Sequence, residues 1–107
     1  MLITTQDELS GYEITETLGI VRGNTVRARH VGKDILAGFR NIIGGEIVEY
    51  TKLLAESREQ AMDRLIDDAK SKDADGIVCI RFTTSSIMQA AAELFVYGTA
   101  VKLKKKI

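Results

Sequence analysis

A two-layer α+β fold with elements in the order β-α-β-β follows from three features of this 107-residue sequence. Apolar and polar residues alternate from Tyr12 onward, a helical stripe runs from about 47 to 72, and strand-like runs stand at 77–82 and 93–103. A right-handed βαβ crossover places the first two strands parallel. The last strand, joined to the second by a hairpin-like connection, fits between them and antiparallel to both. The expectation is a three-stranded antiparallel sheet, order 1-3-2, packed by one long helix that a short helix precedes. At this length the chain forms a single domain over residues 1–107.

In the first strand Tyr12, Ile14, Leu18 and Ile20 point one way, with Glu13, Thr15, Thr17 and Gly19 between them. Period two with threonines and β-branched residues is the mark of a half-buried strand. Glu16 interrupts its apolar face. "RGNT", 22–25, is expected to turn or bulge because glycine and asparagine tolerate positive φ, and "VRARH", 26–30, continues beyond the bend.

"GKDILAGFRNIIGG", 32–45, reads as a short helix through Ile35, Leu36, Phe39, Ile42 and Ile43. The long helix has its apolar stripe at Ile47, Tyr50, Leu54, Ala61, Leu65 and Ala69, with Met62 and Ile66 alongside. Glu49, Lys52, Glu56, Glu59, Asp63, Asp67 and Lys70 form the wetter side, so one face is buried. "SKDADG", 71–76, ends the helix with polar turn formers and a glycine.

"IVCIRF", 77–82, suits a buried strand, and "TTSSIMQAAA", 83–92, is a connection. In "ELFVYGTAVKL", 93–103, Phe95, Tyr97, Val101 and Leu103 share one face; Val96, Gly98 and Ala100 share the other. Gly98 in mid-strand leaves room for a backbone or helix to approach. So small a sheet keeps one face and two edges uncovered, and copies of the same chain are the simplest cover. A homo-oligomer is expected.

Taken together, "LGIVRGNTV", "RNIIGGEIVEYTKLL", "SREQAMDRLIDDAK", "DADGIVCIRF" and "YGTAVKLKK" resemble the YbjQ-like family. These small bacterial and archaeal proteins carry the label "putative heavy-metal-binding". The resemblance spans about Thr5 to Lys105, and its most specific marks are the glycine pair with a tyrosine five positions on and the final GTAV. It implies a dodecin-subunit-like fold and a ring-shaped homopentamer, and it implies no activity. Three places depart from the family's pattern: the "DADGIV" stretch, Asn41 in place of a common acidic residue, and Cys79 where glycine is frequent.

Composition narrows the function classes. Fifteen basic and fifteen acidic residues balance, so no global field draws nucleic acid or an anionic membrane. Aromatics are few and tryptophan is lacking, which argues against a base-stacking platform. The N-terminal stretch lacks the pattern of a secretory signal, and no apolar run approaches the ~18 residues of a membrane span. A single cysteine fits a reducing compartment, so a cytoplasmic location is expected.

The candidate site residues divide by chemistry. Cys79 and His30 are the two side chains worth testing as metal ligands, yet no CxxC, CxC or HxxxH spacing accompanies them. A metal therefore rests on the family label, with ligands gathered from several subunits; no cofactor is otherwise indicated. Cys79 reads first as a small core residue, with a thiol exposed beside Arg81 as the alternative. His30 reads as a solvated or capping residue.

Arg58 lies on or beside the apolar stripe, either snorkelling to water or pairing with Glu46, Glu49 or Asp34 of a neighbouring copy. Arg40 is a similar candidate, and Glu46 and Tyr50 complete the interface set. Gly44 and Gly45 precede a carboxylate, Glu46, that would repel phosphate and suit the helix dipole, so they form a corner rather than a phosphate loop. "DADG" ends a helix rather than opening a calcium loop, and "KLKKK" is a solvated tail. With no nucleophile–base pair, metal motif or complete phosphate loop, the expectation is a non-enzymatic module that binds a small ligand, a metal ion or a partner.

Overall fold

The computed structural model describes residues 1–28, 48–88 and 91–107. Along the chain it has strand β1 (Leu2–Ile3), strand β2 (Tyr12–Ala28), helix α1 (Val48–Ser71), strand β3 (Gly76–Met88) and strand β4 (Ala91–Lys105). The short helix expected at 32–45 lies outside the described residues. The α+β class and the helix-on-sheet layering agree with the sequence, as does the order of the three long strands, β3-β4-β2.

The sheet is four-stranded and mixed, not three-stranded and antiparallel. Its order is β1-β3-β4-β2, with β1 parallel to β3 through Leu2↔Gly76 and Ile3↔Ile77. The N-terminal segment extends this cover: Thr4 N–H donates to Ile77 O, Ile80 N–H to Thr4 O and Cys79 N–H to Gln6 O. Two strand residues carry too little pattern to be seen in sequence; backbone hydrogen bonding to β3 defines them.

Three local expectations change. "RGNT" is no turn, because β2 runs through it with continuous pairing to β4 from Gly19↔Ala100 to Ala28↔Ala91. The irregularities sit earlier, between Ile14 and Glu16 and between Thr17 and Gly19, where Gly19 takes φ 114°. These shifts break the alternation, so Val21 is fully buried while Ile20 is exposed. "TTSSIM" is strand rather than connection, since β3 pairs with β4 up to Met88↔Ala91.

The helix ends on Asp73, not on a glycine. Asp73 N–H donates to Lys70 O, Ala74 N–H donates to Ala69 O, and Asp73 adopts φ 59°. That is the paired hydrogen-bond pattern of a Schellman cap with aspartate in the left-handed position. Gly76 instead opens β3, where an added Cβ would meet Leu103 and Leu9 side chains and the Leu2 carbonyl.

One core lies between α1 and the sheet. Ala61, Leu65 and Ala69 of the helix pack on Val21, Ile77, Ile80, Val96 and Ala100, with Leu18, Met62, Ile66, Ala74 and Leu94 at the margin. Burying a side chain such as Leu65 or Val96 contributes about 1.5–3 kcal/mol. The helix can sit this low because its contact residues are small and because Gly23 lies beneath it. A Cβ there would overlap the Ala61 carbonyl and lie 2.5 Å from the Leu65 nitrogen.

Candidate functional site: the open face and edge of the sheet

The two outer edges of the sheet are treated differently. On β2, the Arg22 N–H donates to Asp68 Oδ2 at 3.0 Å, and the Asn24 carbonyl accepts from Arg64 Nη1 at 2.5 Å. About two turns earlier in α1, the Ser57 carbonyl accepts from the buried Thr25 hydroxyl. Asp68 and Arg64 thus occupy β2 backbone groups that would otherwise invite another strand. On β3, cover by the N-terminal segment reaches only Arg81, whose Nη1 donates to Thr5 O at 2.6 Å and Ile80 O at 2.8 Å. From Arg81 to Ser86 every residue of β3 is exposed.

Opposite the helix, β2, β4 and β3 set side chains in rows. In antiparallel pairing, directly opposed residues project from the same face. One row is Arg22↔Tyr97↔Arg81, the next Asn24↔Phe95↔Thr83, and a third Ile20↔Thr99↔Val78. Phe95 and Tyr97 touch, ring centroids 5.7 Å apart. Tyr97 remains 39% exposed, so a ring on an inner strand is open to solvent with an arginine opposite it on each neighbouring strand. Sequence alone placed Phe95 and Tyr97 on one face; register across three strands brings the arginines to them.

Cys79 is half-buried, between the two sequence alternatives. Val78 pairs with Thr99 and Arg81 with Tyr97, so Cys79 and Ile80 together oppose Gly98, forming a bulge. Cys79 takes φ 57° there, a left-handed conformation that favours glycine. This gives a physical reason for the glycine frequent at that place in the pattern the chain resembles. Gly98 is buried, and an added Cβ would come 2.7 Å from Ile77 Cγ2 and 3.1 Å from Val78 O. The close neighbour it accommodates is the bulged strand β3.

Of the other candidates, Arg58 is exposed and Tyr50 lies in the first turn of α1. His30, Arg40, Gly44, Gly45 and Glu46 fall outside the described residues. Among the described residues, no three His, Cys, Asp or Glu side chains gather as they would around a metal ion. Cys79 alone does not match the several thiolate or imidazole donors that soft metals require. At the foot of the sheet Asp75 Oδ2 accepts from Leu103 N–H at 2.9 Å, while Lys102 Nζ lies 3.7 Å from Asp75 Oδ1 and 3.4 Å from Asp73 Oδ2. Those carboxylates are engaged in closing the strand ends.

The model of the YbjQ family, described as "Putative heavy-metal-binding", matches residues 1–104. The chain belongs to the YbjQ family. It is 59% identical over 103 residues to a UPF0145 protein of Photobacterium profundum, covering 96% of this chain and all of that one. A UPF0145 protein of Archaeoglobus fulgidus is 56% identical over 104 residues, covering 97% and 96% of the two chains. A crystal structure of a protein of unknown function from Pediococcus pentosaceus, assigned to the DUF74 family, superposes with a TM-score of 0.64 at 18% identity. That match covers 97% of this chain and 98% of the other, and it supports the fold alone.

Proposed function

We propose that this YbjQ-family chain is a non-enzymatic, self-associating subunit that holds a small ligand or partner. A dodecin-subunit-like ring of five is the form implied by the resemblance, and a cytoplasmic location is part of the same reading. The observation that carries self-association is the bare outer edge of β3. Residues 81–86 are all exposed there, and the stretch 82–88 contains no charge and no proline. Natural edges are normally blunted by charge, proline or cover. Phe82, 46% exposed, adds apolar surface at the same edge.

The family label favours a metal as the second reading. The half-buried Cys79 is the single thiol of the chain, so an ion needing several thiolates would be shared between copies.

Native mass spectrometry of the whole chain and of a Phe82→Lys/Thr84→Lys variant tests the first reading. A defined oligomer that falls to monomer in the variant is expected. A monomeric natural protein, or an unchanged copy number in the variant, would overturn it. Stoichiometric Zn(II) or Cu(I) uptake lost in Cys79→Ser would favour the metal instead.

A further inference from the structure

We propose that the open sheet face around Tyr97 binds a nucleoside phosphate, with the base stacked on the tyrosine ring and the phosphate held by Arg22 and Arg81. The inference rests on the ligand-binding half of the preceding reading and gives that ligand a chemical class. A small fraction of aromatic residues argued against stacking in the sequence. The structure concentrates two of the six aromatics, Phe95 and Tyr97, in one contact on the central strand.

Stacking on an exposed aromatic tolerates any base, because every base offers a π-face. The ring alone would not select an anion; its neighbours do. Arg22 and Arg81 oppose Tyr97 from the two adjacent strands, their backbones each about 4.8 Å away in the sheet, so both guanidiniums are within side-chain reach of a ligand lying on the ring. Guanidinium groups present several donors in a planar fork that matches phosphate oxygens.

The two arginines are prepared differently. Arg81 is anchored by the Thr5 and Ile80 carbonyls through Nη1, which leaves other donors of its guanidinium for a ligand. That anchoring lowers the ordering cost of binding. For Arg22 the backbone N–H is taken by Asp68, while the guanidinium makes no bond to another described residue.

Two acidic groups on the β2 and β4 side of the face are engaged. Asp68 reaches the β2 edge from the helix side and accepts the Arg22 N–H. Glu93 lies four residues from Tyr97 on β4 and accepts from Asn24 Nδ2 at 3.2 Å. Its carboxylate is thus held in the Asn24 row, a two-residue strand step of roughly 7 Å from the row of Tyr97, where the amide of Asn24 occupies it. The row of Tyr97 itself holds two cations and no carboxylate, so the face complements an anion with a flat ring.

Calorimetric titration of the whole protein with ADP tests this, with adenosine and inorganic pyrophosphate as half-ligands. ADP is expected to bind, each half-ligand at least tenfold more weakly, and raising salt should weaken ADP binding. Arg22→Ala, Arg81→Ala and Tyr97→Leu should each weaken ADP at least tenfold, while Lys104→Ala leaves it unchanged. Arg81→Lys serves as a second probe should Arg81→Ala disturb the N-terminal segment; it keeps the charge but loses the planar fork, so weaker binding is again expected.

The proposal falls if ADP gives no binding at millimolar concentration, or if all three variants bind ADP like the natural protein. It also falls if pyrophosphate matches ADP and Tyr97→Leu changes nothing, the behaviour of a plain anion site. Copy number is a separate measurement. A normal oligomer that ignores ADP overturns this inference alone, and a monomer that binds ADP overturns only the self-association.

Discussion

Gly23→Ala tests whether the helix-to-sheet distance is set by that one glycine. The new Cβ would lie 2.5 Å from the Leu65 nitrogen and overlap the Ala61 carbonyl, both backbone atoms that no side-chain rotation can move. Restoring an ordinary contact of 3.4 Å to the Leu65 nitrogen requires the helix to lift by at least about 0.9 Å, and the closer Ala61 carbonyl demands more. A gap of that size forfeits a quarter to a half of the dispersion well for the facing atoms. Leu65, fully buried, has roughly 40–60 such contacts at about 0.1–0.2 kcal/mol each, about half of them on the sheet side, so it alone stands to lose about 0.5–3 kcal/mol. Ala61 and Ala69 lose contacts too, and the reduced entropy of the unfolded alanine chain returns roughly 0.4–1 kcal/mol.

The net expectation is a loss of about 2–4 kcal/mol, a large share of the ~5–15 kcal/mol typical of such a domain. Urea denaturation at fixed protein concentration measures it, as a lower midpoint with an unchanged slope. Gly98→Ala is the internal comparison. There the overlaps are smaller, 2.7 Å to the Ile77 Cγ2 methyl and 3.1 Å to the Val78 carbonyl, so the expected cost is about 1–2 kcal/mol. A Gly23→Ala loss under about 0.5 kcal/mol, or one smaller than that of Gly98→Ala, would refute the argument.

Three further substitutions probe other features. Asp68→Ala removes the acceptor of the Arg22 N–H and should cost about 1 kcal/mol, with faster hydrogen exchange at the Arg22 amide; unchanged exchange would count against an edge cap. Cys79→Gly relieves a left-handed residue and should raise stability by roughly 1 kcal/mol, whereas Cys79→Val should lower it, and thermal unfolding that ranks valine at or above glycine would contradict the bulge assignment. Asp75→Ala loses the bond from Leu103 N–H and should cost about 1 kcal/mol, while Asp73→Asn, which gives up only an exposed ion pair, should stay within about 0.5 kcal/mol; equal urea midpoints for the two would sink that distinction.

Much of the architecture could be seen in the residues because it depends on local periodicity. The helix was expected at 47–72 and runs from Val48 to Ser71. Its buried contacts at Ala61, Leu65 and Ala69 lie on the stripe their spacing defines. The family, too, was evident in the glycine pair, the following tyrosine and the final GTAV. A glycine or a polar run is ambiguous in sequence because it has more than one physical use. Gly23 signals a turn in sequence but serves helix approach, and "TTSSIM" resembles a connection because an exposed edge strand has no apolar face to alternate.

The remaining features depend on contacts between residues distant in the chain. Hydrogen bonds from β3 turn an otherwise unpatterned N-terminus into a strand and its extension. Register between β2, β4 and β3 brings Arg22, Tyr97 and Arg81 into one row, though they stand at least sixteen positions apart. Periodicity sorts side chains into faces, so it could put Tyr97 beside Phe95. It has no term for strand alignment, which is settled by bulges at Thr17/Gly19 and Val78/Arg81 and by the helix resting on Gly23. The residues alone therefore specify the family and the layers, and packing between distant segments decides which side chains meet on the open face.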